Sequence, residues 1–192
     1  RLQRWGWPMS SDAPSLQQTD KAQAWWLGLV LVAFTGIPVL IAVVRVIQIP
    51  LGGLPEDSLR LMSVPVSYFL HSLAGTLFGV LGPLQLVRSL RQRYGKWHRR
   101  SGYAFVFAGM CLGVSGLVML LRVQSMATGV LDVARGFFGL MLLVALARGV
   151  VAARARYLPV HRAWMIRAYA IGMGSGTVAP VLFPLFVITG QP

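Results

Sequence analysis

Acidic side chains are scarce in this chain. Five Asp and Glu stand against 18 Lys and Arg, a formal charge of +13 at pH 7 over 192 residues. Charged residues of both signs make up only 12%, against about 25% in ordinary soluble domains, and that shortfall excludes a water-soluble globule. Cysteine is almost missing: the lone Cys111 lies in an apolar run, so there is no disulfide framework and no thiolate metal site. H-E-x-x-H, G-x-S-x-G and P-loop patterns do not occur. Gly172-x-Gly174-x-Gly176 follows no strand and sits in an apolar segment, so it is not a nucleotide loop. Asp132 is the single carboxylate within the apolar segments, which leaves paired-carboxylate catalysis without its second group. No catalytic residue and no metal site is assigned.

Apolar length is what the chain does have. Hydrophobic residues reach 56% and the mean hydropathy is +0.65. About 20 consecutive apolar residues cross a bilayer as a helix, and five such stretches can be read, at 22–49, 64–87, 102–121, 129–151 and 163–188. The expected fold class is therefore an all-α integral membrane protein of about five transmembrane helices. Residues 1–21 form a polar N-terminal tail and 22–192 a single helical transmembrane domain. Trp25-Trp26 suits the membrane interface, and Pro180 and Pro184 are expected to bend the last span.

Positive charge is concentrated between the spans. Arg88, Arg91, Arg93, Lys96, Arg99 and Arg100 lie between spans two and three, and Arg148, Arg154, Arg156 and Arg162 between four and five. Arg167 stands just inside span five. Basic loops of this kind face the cytoplasm, which places the N-terminus inside and the C-terminus outside. Arginines at that depth meet anionic headgroups, so Arg91, Arg93, Arg99, Arg100, Arg154, Arg156, Arg162 and Arg167 are the expected lipid contacts. The same placement argues against nucleic acid, which needs a solvated basic face.

The two basic loops also match each other. Arg91-Gln-Arg93-Tyr94-Gly-Lys-Trp-His98-Arg99 aligns without gaps on Arg154-Ala-Arg156-Tyr157-Leu-Pro-Val-His161-Arg162, 63 residues downstream. Spans two–three and four–five are thereby expected to form a parallel internal repeat, related by a pseudo-two-fold axis along the membrane normal. His98 and His161 would then lie at equal depth at the mouths of spans three and five. A glycine follows each of them by eleven residues on its own helical face, Gly109 and Gly172. Such a face admits a neighbouring backbone or a flat cofactor. His71 lies deeper, in span two, where an ionisable side chain needs a partner. Asp132 and Arg135, neighbours on span four, are the expected partners, and with Gln85 they complete a candidate polar cluster.

Four stretches carry a family resemblance: His71 in its apolar span, Gly82-Pro83-Leu84-Gln85, His98-Arg99-Arg100-Ser101-Gly102-Tyr103, and His161-Arg162-Ala163-Trp164-Met165-Ile166-Arg167-Ala168-Tyr169. Over 64–178 the chain resembles the bacterial membrane family called domain of unknown function 2306. The first HR motif of that family is typically followed by Gly-Arg-x-Tyr, whereas Gly102-Tyr103 stands here without the intervening Arg. The resemblance implies a multi-helix protein of the bacterial inner membrane and no established activity. It adds weight to the three histidines, Gln85 and Arg167.

Three functions compete on these residues. The favoured one is a non-catalytic accessory or structural subunit, packed among other membrane protein subunits and binding membrane lipids, with no cofactor. The first alternative is an electron-transfer subunit that binds haem b through His98 and His161, or a quinone. Only three histidines are present, so two bis-His haems are excluded. The second alternative is a small transporter or lipid-binding protein working through His71, Asp132 and Arg135.

Overall fold

In contact with lipid, every backbone N–H and C=O must be satisfied within its own segment, so long apolar runs become helices. The computed structural model of the protein describes residues 35–123 and 129–174, and among these every regular element is helical. α1 spans Thr35–Leu51. It is followed by α2 (Glu56–Leu59), a 3-10 turn (Arg60–Ser63), α3 (Pro65–Leu86), α4 (Arg88–Arg93), α5 (Gly95–Arg122), α6 (Gly129–Arg154) and α7 (Leu158–Gly174). α3, α5 and α6 are long and apolar enough to cross a membrane, and α1 is a shorter apolar helix. The tail 1–21, Trp25-Trp26, Pro180, Pro184 and parts of the expected spans 22–49 and 163–188 lie outside the described residues.

Local signals set the helix ends. Pro65 occupies the first turn of α3, where its missing N–H costs nothing. Gly52, at φ +72°, and Pro55 bound the link after α1. α5 starts seven residues before the expected 102, so His98 stands one turn inside the helix rather than before it. An apolar-run criterion misses this turn because the helix continues through the basic residues once Tyr94 has opened it. His98 N–H bonds to Tyr94 C=O at 2.9 Å, and His161 N–H bonds to Tyr157 C=O at 2.9 Å. The nine-residue match thus has a common local form, a Tyr followed one helical turn later by a His. The approaches differ: α4 leads to Tyr94, whereas α6 leads to Tyr157 through a turn with Arg156 at φ +61°.

Side-chain contacts give the register. Val39 of α1 packs on Gly79, and Ala42 lies near Gly75. Gln85 meets Ser101 across α3 and α5, and Tyr169 of α7 lies on Gly82. α1, α5 and α7 therefore each run antiparallel to α3. Between α5 and α6, Leu143 sits on Gly113, Leu117 on Gly139 and Leu120 on Gly136. Knobs and glycine clefts come from both helices, the small-residue packing that lipid-embedded helices use to approach closely. The resulting threading brings both arginine-rich loops to one end of the bundle.

The core is built on Phe78, fully buried, stacked on Phe105 at 4.4 Å between centroids and tilted against Tyr169 at 5.8 Å. A Cβ on Gly109 would lie 2.7 Å from Phe78 Cε2, and one on Gly172 would lie 2.6 Å from Phe78 Cε1. The two glycines, 63 residues apart like the matched histidines, clasp opposite edges of one ring.

Candidate functional site

Pro83 lies inside α3 and has no N–H to donate to Gly79 C=O. A carbonyl freed in this way within a bundle requires another donor. Tyr169 supplies it: its hydroxyl donates to Gly79 O at 3.3 Å, and its ring lies where Gly82 has no side chain. Gly82, Pro83 and Tyr169, taken from two separate motifs of the sequence, are one arrangement. Gln85, one turn further on, turns its amide into the mouth between α3 and α5. With the oxygen towards Ser101 Oγ (2.6 Å) and Gly102 N–H (3.3 Å), its nitrogen donates to His98 Nδ1 (2.8 Å) and His98 O (3.2 Å). That orientation satisfies both ends of the amide and puts the proton of a neutral His98 on Nε2.

His161 is bonded differently. Its Nδ1–H donates to Gly149 C=O at 2.8 Å. Each matched histidine is held near the C-terminal end of the preceding long helix, His98 by α3 and His161 by α6, yet Nδ1 accepts in one and donates in the other. His98 lies within electrostatic reach of both His161 and Arg91, so the structure does bring the two histidines to the same end. The glycine faces behind them are not open. Phe78 fills the space between Gly109 and Gly172, so of the two occupants left open for these faces, a neighbouring part of the protein or a flat cofactor, the space holds a side chain of α3. A glycine face read from sequence is blind to this, because a ring from a third helix can enter as readily as a ligand.

The expected polar cluster is separated into three places. His71 Nδ1 lies 3.2 Å from both Leu112 O and Ser115 Oγ of α5, with its ring resting on Gly116. Ser115 in turn donates to Cys111 O at 2.6 Å. Arg135 pairs with Asp132 at 3.2 Å, as expected, but on the surface, with side-chain exposures of 52% and 26%. His71 does not join that pair. The α5–α6 register sets Gly116 near the level of Gly139, so Asp132 is about seven residues, or roughly 10 Å, further along the bundle. Gln85 belongs with His98 instead. Ser115, Tyr169 and Phe78 were not expected as partners. The spacing of Tyr169 from Gly82 carries no local signal, although both stand in the motifs quoted above.

Arginines form the other feature of the His98 end. Arg93, Arg99, Arg100, Arg154, Arg156, Arg162 and Arg167 are exposed and Arg91 is partly so. Arg148 and Arg167 both approach the Trp164 ring, at 5.7 and 5.1 Å from its centroid, and Arg93 lies 5.5 Å from that of Tyr94. A concavity of about 550 Å³ is lined by Arg93, Tyr94, Gly95, Lys96, Trp97 and Arg100. Among the described residues no group of three or more His, Cys, Asp or Glu converges as a metal site.

Membrane-length helices, glycine-mediated packing and a basic aromatic end define an integral membrane protein of the polytopic helical class. The chain matches over residues 68–192 the family described as predicted membrane protein (DUF2306), and it belongs to that family. No curated protein and no solved structure matches it.

Proposed function

We propose that the protein is a non-catalytic accessory subunit of a larger complex in the bacterial inner membrane, and that its arginine-rich end binds anionic lipid. The concavity of Arg93, Tyr94, Lys96, Trp97 and Arg100 carries this reading. It combines cations for a phosphate with aromatic rings that favour the headgroup level. Arg148 and Arg167 against Trp164 supply a second such element at the same end. The accessory role draws on the spans themselves: α3, α5 and α6 carry exposed large apolar side chains such as Val66, Leu77, Phe107, Val114, Phe138 and Leu140, which lipid or neighbouring subunits can cover. A basic residue near an anionic surface contributes about 1 kcal/mol. The triple variant R93Q/K96Q/R100Q is thus expected to weaken binding of phosphatidylglycerol by about 100-fold and leave phosphatidylcholine unchanged, measured by native mass spectrometry. Equal retention of both lipids by variant and wild type would refute the reading.

The same reading places this end, and the N-terminus, in the cytoplasm, with the C-terminus outside, because a Lys/Arg excess is retained on that side. A cysteine introduced by Lys96→Cys, in a Cys111→Ser background, is expected to resist membrane-impermeant maleimide in intact cells and to react after permeabilisation. Labelling in intact cells would reverse the orientation.

A further inference from the structure

At the opposite end of the bundle, beneath α2, a cavity of about 320 Å³ lies between α1, α3, α5 and α7. Ile41 and Met173 are among its apolar walls, and Arg45, Tyr68, His71 and Ser72 are among its polar ones. The polar groups offer complementary functions. Arg45 carries a permanent charge and is half-buried. Among the described residues its side-chain hydrogen bond goes to the neutral Gln48 amide oxygen at 2.8 Å, which solvates the charge without neutralising it. His71 commits its Nδ1–H to α5 at Leu112 O and Ser115 Oγ, which leaves the lone pair of Nε2 as its remaining function. Ser72 donates to Tyr68 O at 3.0 Å, so it can only accept further. The buried Tyr68 brings a phenol that can donate.

A cation that needs a counter-charge, a hydroxyl donor and an imidazole acceptor together complement a group with both O⁻ and O–H character. Apolar walls around them complement a short hydrocarbon segment. We propose that this cavity binds the oxyacid head, carboxylate or phosphate, of a single-chain amphiphile, with one oxygen on Arg45 and Tyr68 and a second joined to His71 Nε2 through a proton, which a phosphate monoester brings itself and a carboxylate takes up from solvent on binding. The site is separate from the arginine-rich end, about 14 residues of α3 away when counted from His71 to Gln85.

Calorimetric titration of the protein in phosphatidylcholine nanodiscs, corrected with empty nanodiscs, tests this. Decanoate and decyl phosphate are expected to bind saturably, at least 10-fold more tightly than acetate and inorganic phosphate. Arg45→Gln is expected to weaken decanoate at least 10-fold and Tyr68→Phe about 3-fold, while R93Q/K96Q/R100Q binds decanoate as wild type does. Should Arg45→Gln fail to yield monodisperse protein, Tyr68→Phe and the ligand series carry the test. Acetate binding as tightly as decanoate would overturn the amphiphile, and decanol or decylubiquinone binding as tightly would overturn the oxyacid. Absence of saturable binding by either decyl ligand would overturn the site.

Discussion

Gly82→Ala, one added methyl, is expected to destabilise the bundle by about 3 kcal/mol, the upper part of the usual range for overpacking. The Tyr169 ring lies against the Gly82 backbone, so any Cβ collides with it. The ring has nowhere to move. Phe78 and Phe105 flank it, with centroids 5.8 and 6.4 Å away, and its hydroxyl is tied to Gly79 O. Displacing it would also orphan the carbonyl that Pro83 leaves unbonded, a costly loss where no water replaces it. Gly53→Ala is the matched control: it is exposed, nothing lies within 4 Å of its added methyl, and its expected change is within about 0.5 kcal/mol. Unfolding titrations in mixed micelles, with size-exclusion profiles after graded heating, would read the difference. Equal stability of the two variants would show that Tyr169 does not hold the position described.

The helices were legible because bilayer thickness fixes how long an apolar run must be, and α3 agrees with its expected span to within one residue at either end. α5 was less legible at its start, where amphipathic and basic residues continue a helix that hydropathy alone ends. The lateral contacts were legible only in part. Asp132 and Arg135 meet because three residues along a helix is a fixed distance. His71 finds α5 rather than α6 because partner choice depends on the relative slide of two helices, set here by Leu117 on Gly139 and Leu143 on Gly113. No residue near His71 in sequence encodes that slide. The eleven-residue spacing from His98 to Gly109 and from His161 to Gly172 was visible, and its meaning was not. Both faces converge on a ring supplied by α3, and only the assembled bundle identifies it.

That convergence makes a sharper test than either glycine alone. Phe78→Ala is expected to cost about 3 kcal/mol, the lower end for emptying a buried aromatic site, since in lipid the loss is of packing contacts rather than of shelter from water. Gly172→Ala alone is also expected to destabilise, by about 1–2 kcal/mol, because its methyl would stand 2.6 Å from Phe78 Cε1 on a ring already stacked on Phe105. Combined, the two changes should partly cancel: the methyl enters space that the ring has vacated, and the double variant is expected to be more stable than Phe78→Ala by about 1 kcal/mol. Contacting residues couple in this way, whereas independent ones add. Gly109→Ala should couple with the same sign but more weakly, since its methyl would stand 2.7 Å both from Cε2 on the opposite edge of the ring and from Leu146 Cδ1, which Phe78→Ala leaves in place. Unfolding free energies for the wild type, the three single variants and the two double variants close both cycles. Strict additivity in either cycle would mean that Phe78 is not clasped from that side. Coupling of the same sign in both would show the ring held at both edges, by α5 through Gly109 and by α7 through Gly172.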